Sequence, residues 1–409
     1  MNEPARDELF SPERALELVL ESVPAGLPVN TPLVSACRHV AAGDVAAPEA
    51  YPWFSFSAMD GYTVAAEDIA LASAANPVSL PVQAEIRAGE TKKIALERGK
   101  TLRIMTGAAL PEGADSVVPR EVVGEEGDRA VFSAPTEAGK YINRAGEEIP
   151  TGEVVWKAGE VLTPAAVGLL ASLGLDSVLV YPRPVVALVS TGDELVTPGE
   201  NRCYGQIYDS LTPALSCALA DEWTFDIHQY RCPDDRESLY AVLSLALDKC
   251  DLLLVAGGVS AGDYDFTLPV FGRLGVRRIF HGVDQKPGKP LFFGMKDEKP
   301  VFGLPGNPAS ALVCFHLYVK PAIRRFAGFA APGPAWENGR LAERMENREK
   351  RTNFVRALAR ESADGWQVSA AGLQNSYMLV SFARANALLR LPPGPLSLAK
   401  GKEIEFLLL

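Results

Sequence analysis

The stretch 251–266, DLLLVAGGVSAGDYDF, constrains this chain more than any other. Leu252, Leu253, Leu254, Val255 and Ala256 run without interruption into Gly257-Gly258, and the loop beyond carries Ser260, Asp263 and Asp265. A continuous apolar run bounded by glycine reads as a strand buried on both faces, as in the middle of a parallel sheet. Such sheets bind ligands outside the carboxyl ends of their strands. There the glycines let backbone approach a ligand, and the acids face the crevice. An ordinary strand-to-turn transition with solvated aspartates is the alternative, and the loop alone does not decide between them.

The same device recurs twice. Residues 185–195 (VVALVSTGDEL) pass from an apolar strand into Thr191-Gly192-Asp193-Glu194, and residues 301–310 (VFGLPGNPAS) pass into Asn307-Pro308. Asn307 is placed to cap a helix whose first residue is Pro308, where a missing N–H costs nothing. Free N–H groups at such a start suit an oxyanion or a phosphate. Between the last two strands, Lys286-Pro287-Gly288-Lys289-Pro290 forms a stiff turn presenting two ammonium groups. Acidic strand ends, a helix start and a lysine pair suit a phosphorylated ligand with a divalent cation.

TGDEL, GGVSxGDYD, KPGKP and LPGNPxS, in this order and at these spacings, resemble the molybdopterin molybdenumtransferase family, whose eukaryotic relative is the E domain of gephyrin. Ser57-Ala58-Met59-Asp60-Gly61-Tyr62 and Arg103-Ile104-Met105-Thr106-Gly107-Ala108 match two further family motifs. The resemblance covers essentially the whole chain, and separated motifs in register make it specific.

Composition narrows the alternatives. A formal charge of −11 argues against general affinity for nucleic acid or acidic membranes, because that affinity runs on clustered Lys and Arg. An anionic ligand must therefore find a local basic pocket. The 6 cysteines show no CxxC spacing and the 4 histidines no HxxxH pair, so reduced buried thiols are expected and a zinc site is not. His281, although near the lysine loop, is expected to be structural. The polar, acidic MNEPARDELF start is no secretory signal, and no apolar run approaches the ~18 residues of a membrane span. A cytoplasmic protein is expected.

A chain of 409 residues exceeds one core and implies several domains. Ser11-Pro12-Glu13 opens a helix by the cap-then-proline device. From Pro52 to about Glu148 the texture turns to short apolar runs separated by Gly, Pro and Asp, which reads as a β-rich lobe. Thr163-Pro164 starts another helix, closed by Gly174. Residues 183–329 alternate strand and helix, with helices expected from Pro213, over 235–249 and near 268–274, which implies right-handed crossovers and a mostly parallel sheet. After a linker at 330–334, the short β segments of 330–409 suggest a small barrel. The expected fold class is multidomain α/β plus β: a β-rich lobe (52–148), a parallel-sheet α/β molybdopterin-binding domain (183–329) and a C-terminal β-barrel (330–409). The resemblance adds that 1–51 and 149–182 together form one elongated, discontinuous N-terminal domain.

The resemblance also implies a reaction: adenylylated molybdopterin and molybdate give molybdenum cofactor and AMP. The two dithiolene sulfurs of the pterin are the final metal ligands, so the protein needs no Cys or His cage. Its tasks are to hold a tetrahedral oxyanion and to cleave a phosphoanhydride, which call for N–H donors, cations, and carboxylates that place a divalent ion. Asp265, with Glu194 and Asp235, is expected to hold Mg²⁺, whose hard character suits carboxylate oxygens. Lys286 and Lys289 would neutralise phosphate or molybdate, while Ser260, Ser310, Pro290 and the Asn307 helix start line the pocket. Asp60 and Thr106 match residues of the insertion step, and Arg351 and Ser376 match positions near the oxyanion. The resemblance further implies a homodimer whose site is shared between subunits, with the upstream molybdopterin adenylyltransferase as a further partner.

Plain structural alternatives stand beside these roles. Asp60-Gly61 is a common hairpin turn, Glu194 suits a helix first turn, and Asp234-Asp235 can simply cap the next helix. The lysines, and Arg351 within the charged run 344–351, can be solvated. The sequence also departs from the family pattern. Asn143 and Glu148 replace the Arg and Asp of RxxGED, Leu211 replaces the Asn after GQIYDS, and Asn375 and Tyr377 flank Ser376 where Gly and His are usual. Those changes leave the choice between molybdate and tungstate open. A non-catalytic pterin-binding or scaffold homologue, and the preceding adenylylation step, are the competing functions. Retained Asp60, Thr106, Glu194, Asp265 and both lysines speak against the first. The β-rich lobe and terminal barrel speak against the second.

Overall fold

The computed structural model describes residues 9–222, 226–259 and 266–409. They form two compact units, Met1–Gly43 with Ala158–Val167 and Ser177–Leu409, and Asp44–Lys157 with Gly168–Asp176.

The first unit is built on a six-stranded sheet. Its strands are β1 (Val186–Thr191), β2 (Ile227–Cys232), β3 (Leu252–Ala256), β4 (Arg277–His281), β5 (Phe292–Lys296) and β6 (Lys299–Leu304), in the order β2-β1-β3-β6-β5-β4. β2, β1, β3 and β6 pair in parallel, with Val186 opposite both Ile227 and Leu252, while β5 runs antiparallel to its neighbours. The unbroken apolar runs follow from burial on both faces. Leu252 and Leu254 share a core with Leu211, Leu215 and Leu219 of the helix Leu211–Asp221. Leu253 and Val255 point the other way, to Leu239 and Leu243 of the helix Arg236–Lys249.

Helix starts obey local chemistry. Ser11 Oγ accepts from Arg14 N at 3.2 Å, and Thr163 Oγ1 accepts from Ala166 N at 3.1 Å. The helix expected from Pro213 begins earlier, at Leu211, because Asp209 accepts from the N–H groups of Leu211 and Thr212 at 3.1 and 3.0 Å. Pro213 then sits in the first turn, where its missing N–H is harmless.

The C-terminal strands close a five-stranded barrel. Thr352–Ser362, Gly365–Ala370, Trp336–Leu341, Glu403–Leu408 and Ala387–Leu391 pair in that order, and the last returns to the first. Every barrel strand contributes to one core, including Leu341, Val355, Val368, Leu389 and Phe406. The short strand Gln285–Lys286 adds to Thr352–Asn353, tying the lysine loop to the barrel.

In the second unit, a six-stranded sheet runs through Ser116–Pro119, Gly61–Val64, Thr101–Ile104, Val78–Ile86, Arg129–Phe132 and Val123–Glu126. Tyr62, Val64, Leu80 and Phe132 fill one core there, and Ile86, Leu102 and Ile104 another.

Leu254 is fully buried in the central strand. Leu254→Ala should therefore cost about 2–5 kcal/mol of unfolding free energy in a urea titration, through lost transfer energy and the cavity left behind.

Candidate functional site at the strand ends

The carboxyl ends of β1, β3 and β6 open onto a cavity of about 720 Å³. Its charged lining among the described residues is wholly acidic: Glu194 follows β1, Asp234 follows β2, and Asp209 lies before the helix Leu211–Asp221. The strand-end loops are tied together, since the Thr191 hydroxyl bonds Asp234 Oδ1 and Asp234 N donates to Asp193 Oδ1 at 3.2 Å. Gly257 lines the floor at φ +99°, where a Cβ would stand 2.8 Å from Thr191 O, so glycine is required. His281 Nε2 lies 3.0 Å from Val259 O and donates to it, fixing the end of β3. Burial lowers the His281 pKa, which favours the neutral ring.

The expected site residues separate into groups. Glu194, Pro290 and Asn307 line the cavity. Asp235 does not; it caps the helix Arg236–Lys249, its Oδ1 accepting from Glu237 N at 3.1 Å and Ser238 N at 2.9 Å. Its neighbour Asp234 supplies the carboxylate at the cavity, so of two adjacent acids one caps and the other faces inward. Asp265 and Ser260 lie outside the described residues.

Asn307 occupies the position before Pro308, but its side chain does not cap the helix Pro308–Cys314. Its Nδ2 instead donates to Ser376 Oγ at 3.4 Å, bringing the serine turn of the C-terminal region to the cavity. Tyr377 and Leu379 line the wall beside it. Ser310 is buried in the helix.

Two of the three expected cations are already paired. Lys286 Nζ contacts Glu349 Oε1 at 2.6 Å, and Arg351 Nε lies 3.4 Å from Asp284 Oδ1. Neither lysine of the loop is among the described lining residues, although Pro290 is. The loop backbone is closely packed: at Gly288 (φ +94°) a Cβ would come within 2.7 Å of Gln285 Nε2.

In the other unit, Asp60 Oδ1 accepts from both the hydroxyl and the N–H of Thr106, each at 2.7 Å. Asp60 thus bridges two loops. The Thr106 hydroxyl, then its N–H, hold the carboxyl below its usual range, helped by the positive charges of Arg103 and Arg120.

Three family models match in succession: the MoeA N-terminal region (domain I and II) over 10–174, the probable molybdopterin binding domain over 187–325, and the MoeA C-terminal region (domain IV) over 338–409. Molybdopterin molybdenumtransferase 2 of Mycobacterium tuberculosis is 36% identical over 393 residues, covering 95% of this chain and 96% of that protein. The chain belongs to the molybdopterin molybdenumtransferase family. The Staphylococcus aureus molybdopterin molybdenumtransferase is 32% identical over 388 residues, covering 95% of this chain and 92% of that protein. Among solved structures, a molybdopterin biosynthesis MoeA protein from Pyrococcus horikoshii superposes with a TM-score of 0.83 at 33% identity, over 98% of this chain and 99% of that one. The expected family and fold class are thereby borne out.

Sequence reasoning singled out neither Asp209 nor Glu349. Asp209 carries a signal, an acid two residues before a helical apolar pattern. Glu349 carries none, because its role depends on where the barrel places it.

Removing the Thr106 hydroxyl tests the Asp60 pair. A carboxyl whose folded pKa lies below the unfolded value of about 3.9 adds stability above that value and loses it as pH falls through the folded pKa. Thr106→Val should raise the Asp60 pKa, read by carboxyl NMR titration, and move that loss to higher pH.

Proposed function

We infer that this chain is a molybdenum-inserting transferase of molybdenum cofactor biosynthesis, acting on adenylylated molybdopterin and molybdate and releasing AMP. The names of its relatives support the transferase chemistry. The observation that carries the site is the cavity at the ends of β1, β3 and β6, whose lining includes Glu194, Asp209 and Asp234.

A phosphoanhydride brought to three carboxylates needs a countercharge. Glu194 and Asp234 offer hard oxygens suited to Mg²⁺, which keeps part of its water shell, and these two residues would hold it with Asp265. No cluster of three such ligands forms among the described residues, so water or residues 260–265 would complete the set. When bound, the ion would neutralise phosphate charge and supply ordered water. The chain's own groups do the rest. Thr191 orients Asp234. Asn307 and Ser376 present polar groups to the oxyanion substrate, and Lys286, Lys289 and Arg351 supply positive charge beside it. The dithiolene sulfurs of the substrate would take the metal.

Reconstitution with purified adenylylated molybdopterin tests this. We expect molybdate-dependent cofactor formation with AMP release, abolished by chelation and restored by Mg²⁺. Asp234→Asn should lower turnover by roughly a hundredfold, the scale of losing one electrostatic contact in a reaction site. Chelator-insensitive AMP release would remove the magnesium role, and running tungstate in parallel measures selectivity.

A homodimer with a shared site, contact with the adenylyltransferase that makes the substrate, and a cytoplasmic setting belong to the same proposal. All six cysteines are free thiols, which suits a reducing compartment. Asp60→Ala and Asp265→Ala chains, each inactive alone, test the dimer by subunit exchange. If each site takes one residue from each subunit, half the dimers are mixed and each mixed dimer regains one intact site, so about a quarter of sites recover. Verified exchange without recovered AMP release would rule the shared site out.

A further inference from the structure

Arg356 lies on the barrel strand Thr352–Ser362 and is wholly buried. Its strand neighbours Val355 and Ala357 point into the barrel core, so Arg356 points to the opposite face. There the segment 371–381 covers it. The guanidinium meets no carboxylate among the described residues. Nε donates to Ser381 Oγ at 3.0 Å, and Nη2 donates to Leu373 O at 3.1 Å and Asn375 O at 3.2 Å. Nη1 is buried and has no partner among the described residues.

Backbone bonds reinforce the same attachment. Arg356 N donates to Gln374 Oε1 at 2.9 Å, Gln374 Nε2 returns to Arg356 O at 3.0 Å, and Ala371 N donates to the same carbonyl at 2.8 Å. One residue thus grips both ends and the middle of the segment that carries Ser376 and Tyr377. Ser376 contacts Asn307, and Tyr377 lines the cavity wall. The same strand begins at Thr352–Asn353, which pair with Gln285–Lys286 of the lysine loop.

A buried, unpaired cation is costly, and an apolar side chain of similar volume would cover this face at lower cost. What such a side chain could not do is bind two carbonyls and a hydroxyl at once. A lysine keeps the charge but lacks the planar fork. We propose that Arg356 is a positioning residue for the oxyanion end of the cavity, its guanidinium fixing the turn that presents Ser376 and Tyr377 in register with the lysine loop. The statement rests on the functional reading only for its kinetic readout.

The test uses Arg356→Lys and Arg356→Met in the full chain. Hydrogen exchange on the protein alone should speed up at the amides of 373–378 in both variants, with the barrel strands still protected. In the reconstituted reaction, the KM for molybdate should rise by about tenfold or more, since a displacement near 1 Å can cost a hundredfold, while kcat changes much less. If Arg356→Met does not fold, Arg356→Lys decides. Lowered melting temperature with unchanged exchange at 373–378 and unchanged molybdate KM would overturn the proposal, leaving Arg356 a stabilising residue only. A wild-type protein that releases no AMP would refute the functional reading, and exchange would then decide the role of Arg356.

Discussion

Everything at the candidate site hangs on the pairing of β1 with β3. Both strands are buried on both faces, so neither can shift register without moving apolar side chains into the wrong core. Burial of one Leu or Val is worth about 1.5–3 kcal/mol, and the paired strands carry many of them. That rigidity lets the chain end its strands in glycine, acid and amide groups that make poor cores. Gly257 sits at positive φ against Thr191 O only because both strand ends are held in place.

The strand ends were legible because a strand buried on both faces writes its location directly into sequence, as an apolar run that stops at glycine. The barrel strands were legible for the weaker reason that short apolar runs recur between turn residues. Choices between neighbouring groups were not legible. Asp234 and Asp235 have the same chemistry, and the backbone conformation at Asp235 decides which one caps the helix. Asn307 has the position and the side chain of an N-cap, yet Ser376, 69 residues away, takes its amide. Arg356 gave no signal at all. An arginine in an alternating strand reads as solvent-facing, and only the covering segment 371–381 makes it a buried clamp.

The acidic cavity and the paired lysine loop look at odds with an anionic substrate, but the magnitudes resolve the conflict. Under the proposed function, a phosphoanhydride would meet these carboxylates across a divalent cation. The positive charges of Lys286 and Arg351 are occupied by Glu349 and Asp284. Both pairs are substantially exposed to solvent, and exposed ion pairs contribute about 0–1 kcal/mol. Releasing either one for a stronger acceptor therefore costs little.

The backbone carrying those cations behaves differently. Gln285 is buried, its amide donating to Pro287 O at 3.0 Å and its carbonyl accepting from the Tyr318 hydroxyl, while strand pairing holds Lys286 against Asn353. Moving that loop would break buried hydrogen bonds, each leaving a polar group unsatisfied at about 1–3 kcal/mol. The loop is thus a fixed frame with movable charged tips. The ammonium of Lys286 can leave Glu349 without disturbing that frame.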